Sequence, residues 1–226
     1  MRSMTKELLL GWEDEHLGVV WKPHGILTSG NSGKTLRHLL RVQLGDSNPH
    51  GSLEPAHRLD FGTSGWVIFG KNERCLQALN EAFRAQVVRK SYWALVHGEL
   101  PHSLSISLPL DGKTARTDVL RKANGRIAGA DPVSLGLIQT TTGRTHQIRR
   151  HLHQIGHGVV GDDTYVQPTG LYRGKGLFLC AHAIRFTHPI TKQQIDLSSH
   201  PSKKFMKIPW VYESLKDSPQ DLSSQS

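Results

Sequence analysis

His57-Arg58-Leu59-Asp60-Phe61-Gly62-Thr63-Ser64-Gly65-Trp66-Val67-Ile68-Phe69 joins two kinds of sequence. The first nine residues place one carboxylate between an arginine and a Gly-Thr-Ser-Gly turn, and they read as a loop in which Asp60 caps the turn. The last four are a short continuous apolar run, the pattern of a strand buried on both faces. Working outward, residues 17–21 read as another strand, ended by the turn residues Lys22-Pro23-His24-Gly25. Leu36, Leu39, Leu40 and Leu44 share one face of a helix over residues 35–44. Residues 45–55 read as a loop. Asn72 caps a helix carrying Leu76, Leu79 and Phe83. Further strands are expected at residues 92–97, 117–120, 135–140, 177–186 and 194–197. A helix is expected over 145–155, with Ile148, Leu152 and Ile155 on one side and Gly156 at its stop. Strands outnumber helices without alternating strictly with them. That predicts an α+β fold with a mixed, mostly antiparallel sheet. Residues 1–16 are expected to be an extension, 17–210 one domain, and 211–226 a disordered tail rich in Ser, Asp and Gln.

Composition limits the function classes. The 226 residues carry 28 Lys/Arg against 19 Asp/Glu, a formal charge of +9, with a mean hydropathy of −0.39. Such a balance speaks for a polyanionic partner, nucleic acid before membrane surface. Residues 1–113 hold 13 basic and 11 acidic residues, residues 114–226 hold 15 and 8, and residues 113–153 alone hold 8 and 2. A polyanion-binding face should therefore draw on that middle segment, through Lys113, Arg116, Arg121, Lys122, Arg126, Arg144 and Arg150. Lys203, Lys204 and Lys207 add charge further on. Cys75 and Cys180 are the only cysteines and lie far apart, which excludes a disulfide framework and a cysteine zinc site. Two lone thiols fit a reducing cytosol, and a cytoplasmic location is expected. The apolar run Leu8-Leu9-Leu10 is too short for a signal-peptide core.

Three motifs fall short of a chemistry. Gly30-Asn31-Ser32-Gly33-Lys34-Thr35 follows a strand and opens a helix as a phosphate loop would, but Thr28 stands where the first glycine is required. Gly62-Thr63-Ser64-Gly65 lacks the closing glycine of a nucleophile elbow, because residue 66 is Trp. His146, His151, His153 and His157 cluster in sequence, but Arg150 breaks their spacing on one helix face and no carboxylate lies nearby before Asp162 and Asp163. No metal site is expected.

The segment 57–65 resembles the signature H-R-L-D-x-x-T-S-G of the RluA family of RNA pseudouridine synthases. Further segments are similar in the same order: residues 20–25 to V-x-K-P-x-G, residues 90–96 to K-x-Y-x-A-L-V, residues 143–152 to G-R-T-H-Q-I-R-x-H-L, then Gly161-Asp162, and residues 182–189 to the closing H-A-x-x-L-x-F-x-H-P. The resemblance spans about residues 17–208 and rests on several independent motifs. It implies the pseudouridine synthase fold with a central RNA-binding cleft, and isomerisation of a specific uridine in structured RNA, tRNA or rRNA. It also implies a monomer and no cofactor. Asp60 would be the catalytic carboxylate, attacking C1′ or C6 or assisting glycosidic elimination; the residues leave all three routes open. Tyr92 would lie against the target base and help remove the C5 proton. Arg149 would keep Asp60 ionised, and Arg58 would fill the space of the flipped base, with His57 beside it as an RNA contact. The helical pattern sets Arg149 with His146 and Arg150, away from the apolar side. About 16 residues precede the first strand, so no N-terminal S4-type domain is expected. Ala56, Arg150, Gly158 and Trp21 depart from common family residues without touching these positions. The competing reading is a non-catalytic RNA-binding protein that retains the fold. The joint presence of Asp60, Tyr92 and Arg149 argues against it.

Overall fold

The computed structural model describes residues 8–30, 35–45, 53–128, 130–166 and 176–217. The chain divides into two compact units, Met1–Ala85 with Thr187–Gln193, and Gln86–Phe186 with Gln194–Ser226.

The first unit opens with a hairpin, β1 (Leu10–Glu13) and β2 (Leu17–Lys22). Asp14 closes its turn by accepting from the backbone N–H groups of His16 and Leu17 at 2.8 and 2.9 Å. The strand β1 lies within the expected N-terminal extension. It is only four residues long and half-buried, so it leaves no alternating pattern to read. Helix α1 (Leu36–Leu44) buries Leu36 and Leu40, and Thr35 caps it by accepting from His38 N. The strand β3 (Glu54–Pro55) is two residues within the expected loop. The apolar run becomes β4 (Ser64–Gly70), buried along its whole length and antiparallel to both β2 and β3. Ser64, read as part of the turn, is in fact the first residue of this strand. Helix α2 (Glu73–Arg84) starts at Asn72, whose Oδ1 accepts from Cys75 N at 2.9 Å. Cys75 is buried in this helix, and burial followed by the charge of Asp14 raises its thiol to about 11. The phosphate-loop near-miss falls on residues 31–34, outside the described residues.

In the second unit β5 (Arg89–His97) pairs antiparallel on one side with β8 (Ala130–Thr140) and on the other with β9 (Leu179–Thr187). The strand β7 (Thr117–Ile127) continues from β8, and β6 (Ser103–Ile106) continues from β7. Past Leu120, β7 runs on as an arm whose residues Lys122, Asn124 and Arg126 are exposed, so its sequence is too polar to announce a strand. Pairing to β8 holds it. Helix α3 (Gln147–Gln154) begins two residues later than expected, because His146 sits at φ 53° in the left-handed region and cannot join the helix. The strand β10 (Gln194–Ser198) pairs with β9. Two unexpected helices follow, α4 (Lys203–Met206) and α5 (Pro209–Leu215). The latter reaches into the expected tail and buries Val211 and Leu215, two apolar residues at helical spacing among polar neighbours. Residues 218–226 lie outside the described residues. Trp210 of α5 lies on β7 at Gly125, where a Cβ would come within 2.3 Å of the indole, and donates its ring N–H to the Arg126 carbonyl. Phe205 of α4 packs edge-on to Phe178 at 5.2 Å. Cys180, on β9, is also buried.

With ten strands and five helices among the described residues, the fold is α+β; the pairs β1–β2, β2–β4, β3–β4, β5–β8, β5–β9, β6–β7 and β7–β8 are antiparallel, and the bridge Leu27–Thr35 is parallel. No described helix is long and apolar enough to cross a membrane.

Candidate active site

In the first unit the Asp60 loop is tied at both ends. The Thr28 hydroxyl donates to the Leu59 carbonyl and accepts from the Leu59 N–H, both at 3.0 Å. Thr63 N donates to the Asp60 carbonyl, and Gly25 N to the Phe61 carbonyl. Gly65 holds φ 139°, a backbone region that costs side-chain-bearing residues strain, so the turn into β4 requires glycine there. These bonds leave Asp60 half-buried while Arg58 and Phe61 face solvent. The Thr63 and Ser64 hydroxyls are buried with no hydrogen-bond partner among the described residues. A buried polar group without a partner normally costs on the order of 1–3 kcal/mol, which marks this turn as more than a connector.

Lys22, at the end of β2, is fully buried. Its ammonium donates to the carbonyls of Pro23 and Ile26 at 3.1 and 2.8 Å. Burial lowers its pKa to about 8, and the charge of Asp60 opposes that shift. A positive charge thus acts on Asp60 from within its own unit. Lys22 lay inside the V-x-K-P-x-G resemblance, where it carried no assigned role. His57, expected as an RNA contact, is held on the protein side. Its Nε2 accepts from Ile68 N at 3.1 Å and its ring packs on Phe83 at 4.7 Å, so it fastens the loop to β4.

In the second unit Tyr92, on β5, is 8% exposed and sits opposite Ile138 of β8. Arg149, on α3, is 6% exposed. The helical pattern sets it away from the apolar side. The structure instead turns it onto Asp162, with Nε and Nη2 each 2.7 Å from a carboxylate oxygen, a bidentate pair. The guanidinium also lies 5.1 Å from the centre of the Tyr165 ring. Burial acts against the charge on Asp162. The Arg149 bonds, together with the N–H groups of Tyr165 and Thr164, outweigh it and hold the carboxyl below the usual range. Gly161, at φ 76°, allows this: a Cβ there would come within 2.3 Å of the Gly176 carbonyl oxygen. The Tyr165 hydroxyl meets His146 Nδ1 at 3.1 Å. Asp162 appeared in the sequence only as part of a Gly-Asp motif, and Tyr165 gave no signal.

The remaining candidates divide. Arg150 is bidentate on Asp111, and Arg116 is bidentate on Asp118. Arg144 donates to the Thr114 carbonyl. Lys113 and Arg58 are exposed. The clustered histidines separate: His151 bonds Thr117 and the Leu108 carbonyl, and His157 bonds the His97 carbonyl. Gln147, buried, ties the Thr142–Arg144 turn to the start of β7 through four hydrogen bonds.

Residues 16–154 match the family model described as RNA pseudouridylate synthase. The chain belongs to the RNA pseudouridylate synthase family. It is 34% identical over 218 residues to the ribosomal large subunit pseudouridine synthase C of Vibrio vulnificus, covering 88% of this chain and 68% of the relative. It is 31% identical to the dual-specificity RNA pseudouridine synthase RluA of Pasteurella multocida, covering 84% of this chain and 91% of that one. Among solved structures, human RNA Pseudouridylate Synthase Domain Containing 1 superposes with a TM-score of 0.75 at 23% identity, over 98% of this chain and 99% of that chain, and shows the shared fold. The resemblance first carried by residues 57–65 is therefore borne out, and the chain is an isomerase of this family. Within it, the two families of contacts described above surround the signature residue Asp60 in one unit and the Arg149 motif in the other.

Proposed function

We propose that this chain isomerises a uridine of structured RNA, tRNA or rRNA, to pseudouridine in the cytoplasm, acting as a monomer and with Asp60 as the catalytic carboxylate. The reaction breaks the N1–C1′ bond, joins C1′ to C5 of the turned base, loses the C5 proton to solvent and gains one proton at N1. It is neutral in electrons. The observation that carries the reading is the Asp60 loop: Thr28, Thr63 and Gly65 fix the backbone on both sides of a half-buried carboxylate that shares its surroundings with the buried Lys22. Groups held this way are pre-positioned for the step they perform. Tyr92, buried on the central strand of the second unit, supports a role against the base, and Arg149 supplies a cation fixed in place by Asp162. A uridine within a stem must first leave its stack. Arg58, exposed two residues before Asp60, is the side chain assigned to that step.

The test is tritium release from 5-tritiated tRNA and rRNA fragments. Asp60→Ala is expected to abolish release, a loss of at least about 10³-fold, while binding of the same RNA survives. Release at the normal rate from that variant would reject Asp60, and release from neither substrate by the wild-type chain would reject the reading as a whole.

A further inference from the structure

Beyond the residues around Asp60, Tyr92 and Arg149, the second unit carries a groove of about 400 Å³ where β5, β8 and β9 meet. Its cations are Arg89 and Arg185, and its neutral donors include Ser91 and Thr141; strand alternation turns Lys90 to the other face, where its Nζ lies 3.6 Å from the Cβ position of Gly143. Arg89 and Arg185 are direct cross-strand partners in the antiparallel β5–β9 ladder. Like charges facing each other across a ladder destabilise it, so the pair needs an anion. Asp196 meets Arg185 and forms an ion pair with it. The other carboxylate lining the groove, Asp118, is taken by Arg116. No hydrogen bond or ion pair to the Arg89 guanidinium is found among the described residues. With Asp196 held by Arg185 and Asp118 by Arg116, the charge of Arg89 is left over in the groove.

We propose that this groove holds a phosphodiester group of the bound RNA chain, with Arg89 as its principal contact. The inference rests on the RNA-modifying reading above, and it assigns a part of the surface outside the basic segment 113–153. A singly charged, geometrically open anion with several acceptor oxygens matches two arginines and flanking hydroxyls. The phosphate would also relieve the Arg89–Arg185 opposition, so the charge that weakens the empty ladder becomes an attraction in the complex.

The experiment measures equilibrium binding of end-labelled bulk tRNA to the full chain across about 50–200 mM KCl, beside tritium release, with folding checked by thermal melting. Arg89→Ala is expected to weaken binding and lower the salt slope by about 1, the loss of one phosphate contact. Arg89→Lys should restore most of the slope. Arg185→Ala should weaken binding more than Arg89→Ala does, because it leaves Asp196 unopposed in the groove. An unchanged slope in Arg89→Ala, from a wild-type chain that binds and modifies RNA, overturns the groove alone. A slope lost equally in Arg89→Lys overturns it too, since that marks a structural role. Inorganic phosphate that binds only when Arg89 is present, yet at ionic strength matched with chloride does not displace RNA, marks a free-phosphate site and rejects the RNA assignment. A wild-type chain that neither binds nor modifies RNA rejects both this inference and the reading beneath it.

Discussion

At the scale of single residues, the chain shows how a buried charge is made tolerable. Arg149 and Asp162 are both buried, and each satisfies the other through two bonds while Asp162 also collects two backbone N–H groups. Removing one partner of such a pair leaves an uncompensated charge inside the protein. Asp162→Asn is therefore expected to cost about 3–5 kcal/mol in urea unfolding, and a loss below about 1 kcal/mol would contradict the arrangement. The pH dependence has a fixed sign. The folded carboxyl lies below its ordinary value of 3.8, so its stabilisation is present above that pH and is lost as pH falls through the lower, folded value. Wild type should lose stability in that acid window and Asp162→Asn should not. Lys22 has the opposite character. It is a cation lowered to about 8 by burial, and it withstands that burial through two carbonyls and the neighbouring Asp60.

At the scale of elements, legibility in the sequence follows apolar pattern. The strands β2 and β4 and the helices α1 and α2 carried continuous or periodic apolar residues and cap residues of the right type, and all were readable within a residue or two. The strand β6 and the outer half of β7 were not, because their stability comes from partners distant in sequence rather than from their own composition. Helix α5 was hidden for the same reason: its anchor, Trp210, meets Gly125 some 85 residues earlier. The signals for the candidate site divide in the same way. Asp60, Tyr92 and Arg149 were visible through motifs. The partner Asp162 and the lysine beside Asp60 were visible only as motif letters, because pairing across the fold is not written in spacing. The Trp210 contact predicts its own test. Gly125→Val puts carbon where the indole lies and should destabilise the chain by about 1–3 kcal/mol in thermal or urea unfolding, whereas Gly112→Ala, at a glycine with nothing within 4 Å of its Cβ position, should leave α5 seated. Equal loss from both would mean that backbone strain, not the seat of Trp210, is being measured.

At the scale of the whole molecule, the +9 charge is less available to RNA than composition suggests. Of the basic residues between 113 and 153, Arg149 is buried on Asp162, Arg150 is held by Asp111, and Arg116 is held by Asp118. Exposed pairs of this kind are weak and can be exchanged for phosphate, but each carries its own acid into the interface. The wild-type salt slope for RNA binding should therefore be steep yet correspond to fewer phosphate contacts than the eight basic residues of that segment. A slope of about −7 or steeper would show that these acids are displaced outright.

The two buried thiols have a practical consequence. Cys75 and Cys180 are the only cysteines in the chain, and the Cys75 thiol is held near 11, so maleimide reagents at neutral pH meet a nearly silent background. A single cysteine introduced at an exposed position such as Lys113 would then be the one labelled atom on the molecule, and a short-arm photocrosslinker there would report which stretch of RNA passes over it.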